Sequence, residues 1–296
     1  MVAAPHAASA ASAASADALN AAPRPPRADG RAQAGSDEAR PLVRIDRIGK
    51  RFPDGVAVLH DFSLDIAEHD FVSLIGPGGC GKGTVLRLLA GLVPATAGKM
   101  TWAAHRTLGA SRTDRELAFV FREPALMPWA SLFDNVFLPL RLSGMTRQRA
   151  AETVHDALAV TGIARHAAAT PAELPPAVQV RAAIARALVT HPRLVLMDEP
   201  FAALDPLTRA RLADDLLAIW KTHRFTVVLA TQSVADAVFL SRRVVVMSPR
   251  PGRVVRELRI GEPYPRTSGD FPLSGRFNEH VKAVQRSLHA SVLGIA

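Results

Sequence analysis

Gly76-Pro77-Gly78-Gly79-Cys80-Gly81-Lys82-Gly83-Thr84 follows an apolar run, Phe71-Val72-Ser73-Leu74-Ile75, and leads into Val85-Leu86-Arg87-Leu88-Leu89, which closes at Gly91. A strand, a glycine-rich turn and a helix with lysine in its first turn make the form of a phosphate-binding loop. The glycines let backbone N–H groups curl around an anion, and the helix N-terminus adds a favourable dipole. Lys82 is placed to reach terminal phosphates. Such a loop ordinarily carries Ser or Thr after the lysine, whose hydroxyl ligates Mg²⁺. Here that position is Gly83, and Thr84 points elsewhere on the turn.

Outward from the loop, the 296 residues are 48% hydrophobic and 21% charged, enough to bury one sizeable core. No apolar run approaches the roughly 18–20 residues that a membrane-spanning helix needs. The single cysteine, Cys80, excludes an intramolecular disulfide and a cysteine-built metal site, in keeping with a reducing cytoplasm. In a loop that works through its backbone, that side chain is neutral. The net charge of +9 comes mainly from scattered arginines, lysine standing only at 50, 82, 99, 221 and 282. No dense basic block with interleaved aromatics occurs. The charge therefore reads as a bias towards Arg and Ala, and no nucleic acid is expected as a partner.

Residues 1–40 are rich in Ala, Ser and Pro, with almost nothing large and apolar to offset ordering entropy. A disordered tail is expected there; a secretory signal would need a continuous apolar segment, and none is present. From Pro41 the composition changes, and short strands are expected at 43–46, 56–59, 62–66, 99–102 and 117–121. Phe52 stands on a turn ahead of the loop, where an aromatic either stacks on a base or caps a small β-subdomain. A proline-broken connection, Arg122–Trp129, precedes a mainly helical region over 132–190. There Thr146 caps one helix, and Pro171–Pro176 opens another that runs to Leu188. Arg193–Glu199 is a buried strand ending in two carboxylates, Asp198 and Glu199. Two acids at a strand end are often plain surface charges. Beside a phosphate loop in a parallel sheet, they put one near a metal and one near the γ-phosphate. Asp205 and Pro206 open a further helix, and a β-α alternation continues to Met247, implying a mostly parallel sheet with helices on both faces. After Ile260 the chain is polar and turn-rich until a last amphipathic helix around 277–293.

With the loop, the Asp-Glu strand and the order of parts between them, residues 42–258 resemble the ATP-binding subunit of an ABC transporter. Residues 120–136, VFREPALMPWASLFDNV, resemble the glutamine-loop segment of importers. LMDEPFAALDPLTR resembles the Walker B and D-loop region, and MSPRPGRVV is similar to the nitrate, sulfonate and taurine importer branch. The resemblance implies an α/β P-loop NTPase of the ABC type, with a mostly parallel sheet, an antiparallel β-subdomain and a helical subdomain at about 125–190. It makes 41–258 the ATP-binding domain and 259–296 a C-terminal extension. It implies ATP and Mg²⁺ as cofactors, and a second ATP-binding subunit and transmembrane permease subunits as partners. The location it implies is cytoplasmic, peripheral on the inner face of the plasma membrane. Nucleotide would be held by Phe52, by Gly76, Pro77, Gly78, Gly79, Cys80, Gly81, Lys82, Gly83 and Thr84, and by Arg122. Asp198 would be the metal-water partner, Glu199 the base for the attacking water and Gln232 the switch residue. Pro128-Trp129, an aromatic and a proline on a connection between subdomains, sits where the family docks on membrane subunits.

Four positions depart from the family pattern. Gly83 replaces the metal-ligating hydroxyl, Arg122 a glutamine and Gln232 a histidine, while the signature turn reads Leu174-Pro175-Pro176-Ala177-Val178. Gln232 keeps an N–H donor. Proline has none, so the helix after the signature is retained while its grip on the partner's phosphate is lost. Two readings follow: an importer ATPase with impaired hydrolysis, and a degenerate subunit that docks without hydrolysing. A chromosomal or repair ATPase would need a long heptad-rich insertion, which is absent.

Overall fold

The computed structural model describes residues 41–103 and 117–294; the tail expected at 1–40 lies outside them. Alternating burial along Val43–Arg51 (β1) and Ala57–Ile66 (β2) turns one face of an antiparallel pair inward. The sequence suggested two strands over 56–66, but a bulge at His60-Asp61, with Asp61 at φ +53°, shifts the register without breaking the pairing. Phe71–Ile75 (β3) is buried throughout and leads through the glycine-rich loop into Lys82–Leu89 (α1). Ala97–Trp102 (β4) adds to β1, giving a three-stranded antiparallel sheet ordered β2-β1-β4.

Leu117–Val120 (β5) is followed by three helices, Leu132–Leu142 (α2), Arg147–Val160 (α3) and Pro176–Leu188 (α4). These helices bury their own cluster, with Leu132, Val136, Val154, Leu158 and Ile163 at its centre. The sequence suggested a helix from about Pro171; instead a single 3₁₀ turn at Pro171–Glu173 precedes α4. Pro175 lies in extended backbone at φ −58°, ψ 152°, so the helix begins only at Pro176.

The remaining elements are Leu194–Asp198 (β6), Pro206–His223 (α5), Thr226–Thr231 (β7), Val234–Leu240 (α6), Arg243–Met247 (β8), Val254–Arg259 (β9) and Gly275–Leu293 (α7). The large sheet runs β5-β6-β7-β3-β8-β9; all its pairs are parallel except β8–β9. β9 was not legible in the sequence because its residues are half polar, as suits an edge strand. β3 lies in the middle, and its period of two serves two cores. Phe71 and Ile75 pack with α5, α6 and α7, while Val72 and Leu74 pack with α1, β1 and β2. This explains why the strand reads as a continuous apolar run.

The segment after β9 is tied into the first of these cores by Arg266. It is 4% exposed, and its guanidinium donates to the carbonyls of Val238, Phe239, Ser241, Ile260 and Glu262 at 2.8–3.2 Å. Three of those carbonyls belong to the end of α6, where a cation meets the negative end of the helix dipole. Nothing in the sequence singled Arg266 out from the other arginines.

Candidate functional site

The loop after β3 owes its shape to two glycines. Gly81, the N-cap of α1, has φ +109°, which side chains rarely adopt. Gly252, on the turn between β8 and β9, packs so closely that a Cβ there would stand 2.1 Å from the Cys80 carbonyl oxygen. That turn is held in place by Gly252 N–H donating to Val58 O at 2.8 Å, and Arg250 Nε donates to Gly79 O at 3.1 Å. The SPRPG stretch is therefore the rear support of the loop, a role that a reading of the motif alone did not give.

Lys82 is 6% exposed, and its ammonium donates to Gly76 O at 2.8 Å and Pro77 O at 3.1 Å. Its charge thus sits within the ring of loop backbone. Cys80 is fully buried, and Thr84 is buried on α1. Gly78 has open space where a side chain would be. Phe52 is half-buried against the β1–β2 core, with Lys50 Nζ 4.9 Å from its ring centroid.

Asp198 ends β6 directly opposite Gly83: a Cβ at position 83 would stand 3.0 Å from Asp198 Oδ2. Burial pushes the Asp198 carboxyl above its ordinary value, and the neighbouring Glu199 adds to this. Arg87, Lys82 and Arg122 pull in the other direction. Glu199 follows at φ +47°, its N–H donating to Ala230 O at 2.8 Å, so the chain turns sharply as it leaves the sheet. That turn brings three separated residues together. Gln232, just beyond β7, donates from Nε2 to Glu199 Oε1 at 2.7 Å. Arg122, just beyond β5, stands 3.7 Å from Glu199 Oε2. Both oxygens of Glu199 face donors. A cavity of about 230 Å³ opens beside them, bounded also by Arg209 and Asp236, which pair at 3.8 Å.

Two residues that the sequence did not flag hold the connection after Arg122. Arg186, on α4, donates to Pro124 O at 2.7 Å and Ala125 O at 2.8 Å. Asn135, fully buried on α2, accepts from Met127 N–H at 2.7 Å and donates to the carbonyls of Met127, Ala130 and Ser131. The turn they fix presents Trp129, which is 80% exposed. At the start of α4, Pro175 and Pro176 supply no N–H, and the N–H groups of Val178 and Gln179 both donate to Pro175 O. Gln179 Nε2 reaches back to Pro171 O and Leu174 O at 3.0 Å.

Among the described residues no helix is long and apolar enough to cross a membrane, and no group of three or more His, Cys, Asp or Glu is placed to hold a metal ion. Mg²⁺ prefers a near-complete shell of oxygens, but Gly83 offers none and Arg122 brings a cation instead. Among the described residues, Asp198 is the carboxylate that stands opposite Gly83. The donor set does not fit a directly held metal.

Residues 59–202 match the family model described as ABC transporter. The chain is 42% identical over 240 residues to the aliphatic sulfonates import ATP-binding protein SsuB 1 of Mesorhizobium japonicum, spanning 81% of this chain and 87% of that one. It is 39% identical over 234 residues to SsuB 2 of Pseudomonas syringae pv. tomato, spanning 79% and 93% respectively. Among solved structures it is similar to MJ0796, a dimeric bacterial ABC transporter cassette. That likeness has a TM-score of 0.65 at 27% identity, over 75% of this chain and all of that one.

Proposed function

Because this chain belongs to the family of ABC transporter ATP-binding subunits, we propose that it serves an importer of a small sulfonate-like oxyanion, holding ATP while hydrolysing it slowly or not at all. The solute class rests on the sulfonate-import relatives and on the SPRPG turn. The family supplies the partners: a second ATP-binding subunit, and permease subunits that the exposed Trp129 would meet at the inner face of the plasma membrane.

The observation that carries the slow hydrolysis is the environment of Glu199. A base must accept a proton from water, and its lone pairs must be free to do so. Here one oxygen accepts from the Gln232 amide and the other faces the Arg122 guanidinium. Gln232 has an uncharged amide to offer the γ-phosphate where the family has a histidine. Lys82 and the loop N–H groups still suit the β- and γ-phosphates, so binding is retained while turnover falls.

Steady-state ATP turnover tests this reading. The parent chain should turn over little, and Arg122→Gln with Gln232→His and Gly83→Ser should raise turnover at least about tenfold, equivalent to about 1.4 kcal/mol of barrier. A parent rate equal to that of the triple variant overturns the reading. The signature prolines favour a second form of it, in which this subunit occupies a dimer with a competent partner and completes no site for it. In that case the chain turns over nothing alone, and adding it to a competent partner ATPase lowers the partner's turnover, because the partner's site in the mixed dimer has no signature turn to close it.

A further inference from the structure

At the end of the sheet opposite the phosphate loop lies a groove of about 620 Å³, between the beginnings of β3, β7 and β8 and the chain that follows β9. The five residues of β3, at about 3.3 Å each, put some 17 Å between this groove and the loop. Besides Arg243, which is paired with Asp70 and Glu257, four cations line it: Lys221 and Arg224 at the end of α5, Arg242 before β8 and Arg259 at the end of β9. All four are exposed, and none has a carboxylate partner among the described residues.

The acids nearby are already engaged. Asp70 and Glu257 accept from Arg243 at 2.7 Å, and Glu262 faces Arg276 at 3.4 Å and His280 at 3.9 Å. The excess positive charge of the groove is therefore uncompensated. Four like charges around one concavity repel each other, and low-dielectric walls focus their field towards an anion. The wall itself is built. Trp220, 5% exposed, and Tyr264 lie 4.9 Å apart, and the Arg242 guanidinium stands 5.4 and 5.8 Å over their rings. The buried indole N–H of Trp220 has no hydrogen-bond partner. Behind Tyr264, Arg266 lies 4.2 Å from the ring and is itself fixed by its five carbonyls. Arg242 is thus held by a rigid aromatic corner rather than left to swing in solvent.

We propose that this groove is a second anion site, separate from the nucleotide loop, for a ligand carrying a phosphate or pyrophosphate group. Guanidinium forks on Arg242 and Arg259 match phosphate oxygens in pairs, and Lys221 and Arg224 add point charge at the rim. The site is independent of the transporter reading, since none of its residues belongs to the loop, the β6 carboxylates or the signature.

Calorimetric titration with pyrophosphate at about 0.15 M salt tests it, using the full chain carrying Lys82→Ala so that the loop no longer competes. One pyrophosphate should still bind, and adding Arg242→Ala with Arg259→Ala should weaken it at least about tenfold. Both arginines are exposed, and an unchanged thermal transition checks the fold; Lys221→Gln with Arg259→Gln gives a second variant pair that spares the aromatic corner. Co-sedimentation with phosphatidic acid vesicles separates the two sources of the group. Binding to vesicles that is lost with the same arginines assigns a lipid headgroup, and binding to pyrophosphate alone assigns a soluble ligand. Loss of all pyrophosphate and vesicle binding in Lys82→Ala, or equal binding by the groove variants, overturns the proposal.

Discussion

Glycine at position 83 and arginine at position 122 act on the same ion from two directions, although they lie far apart in sequence. The first removes a hydroxyl and the second introduces a fixed cation, and we propose that Arg122 takes over part of the charge neutralisation that Mg²⁺ would supply. ATP is accordingly expected to bind almost as well in EDTA as in Mg²⁺ by calorimetry, whereas Gly83→Ser with Arg122→Gln restores a metal dependence of at least about tenfold. The serine Cβ would meet Asp198 Oδ2 at 3.0 Å, so Asp198 must yield by a few tenths of an ångström for this to succeed. Asp198 also leaves a mark on stability. Burial and Glu199 raise its pKa above 3.8, so the folded protein binds this proton more tightly than the unfolded chain does. Stability from this residue is full below about pH 4 and is lost as pH rises through the raised value. Asp198→Asn should therefore melt higher than the parent at pH 7, with the difference closing as pH falls below about 4. A parent-like melting temperature at pH 7 would count against the raised value.

Among the elements, the connection from Arg122 to Ser131 and the start of α4 carry the partner-facing consequences. Asn135 and Arg186 hold the connection rigid, so Trp129 projects from a fixed turn. Trp129→Ala should change stability by less than about 0.5 kcal/mol, as surface substitutions do, while abolishing co-purification with membrane subunits. Retained co-purification would remove Trp129 from the docking surface. At α4, Pro175→Ser with Pro176→Gly and Ala177→Gly gives back a hydroxyl and two N–H groups, with hydrogen bonds to a charged phosphate contributing about 1.5–3 kcal/mol each. ATP-dependent dimerisation in a Glu199→Gln background, followed by light scattering, should rise in the restored variant; equal dimerisation would count against the lost grip. Much of the architecture was legible because periodicity reports burial: β3, β6 and β7 read as apolar runs since both faces are covered. β9 and the late start of α4 were not, because an edge strand keeps polar residues and the turn before α4 depends on one extended proline. The loop and the two carboxylates were legible as local motifs. The pairing of Arg122 and Gln232 on Glu199 was not, because it arises where three parallel strands end together.

For the molecule as a whole, Arg266 joins parts that sequence composition separates. Removing it would leave the end of α6 and the chain after β9 with five carbonyls lacking their buried donor. Arg266→Met keeps much of the volume yet should destabilise the protein by about 3 kcal/mol or more, measured by urea unfolding. A loss below about 1 kcal/mol would mean that water replaces the guanidinium. The central position of β3 has a further consequence, one that concerns time rather than space. β3 takes its hydrogen bonds from β7 on one side and β8 on the other, and its loop rests on Gly252, about 170 residues further along. A ribosome adding about 5–20 residues per second exposes Phe71–Ile75 for roughly 10–35 s before the strands that flank it have been made. Through that interval the nascent chain carries a bare apolar strand with both edges unpaired, and the glycine loop has nothing to rest against. The strand that leads into the glycine loop is made well before the strands that flank it, so a chaperone that shields it on the ribosome is expected to raise the yield of mature protein.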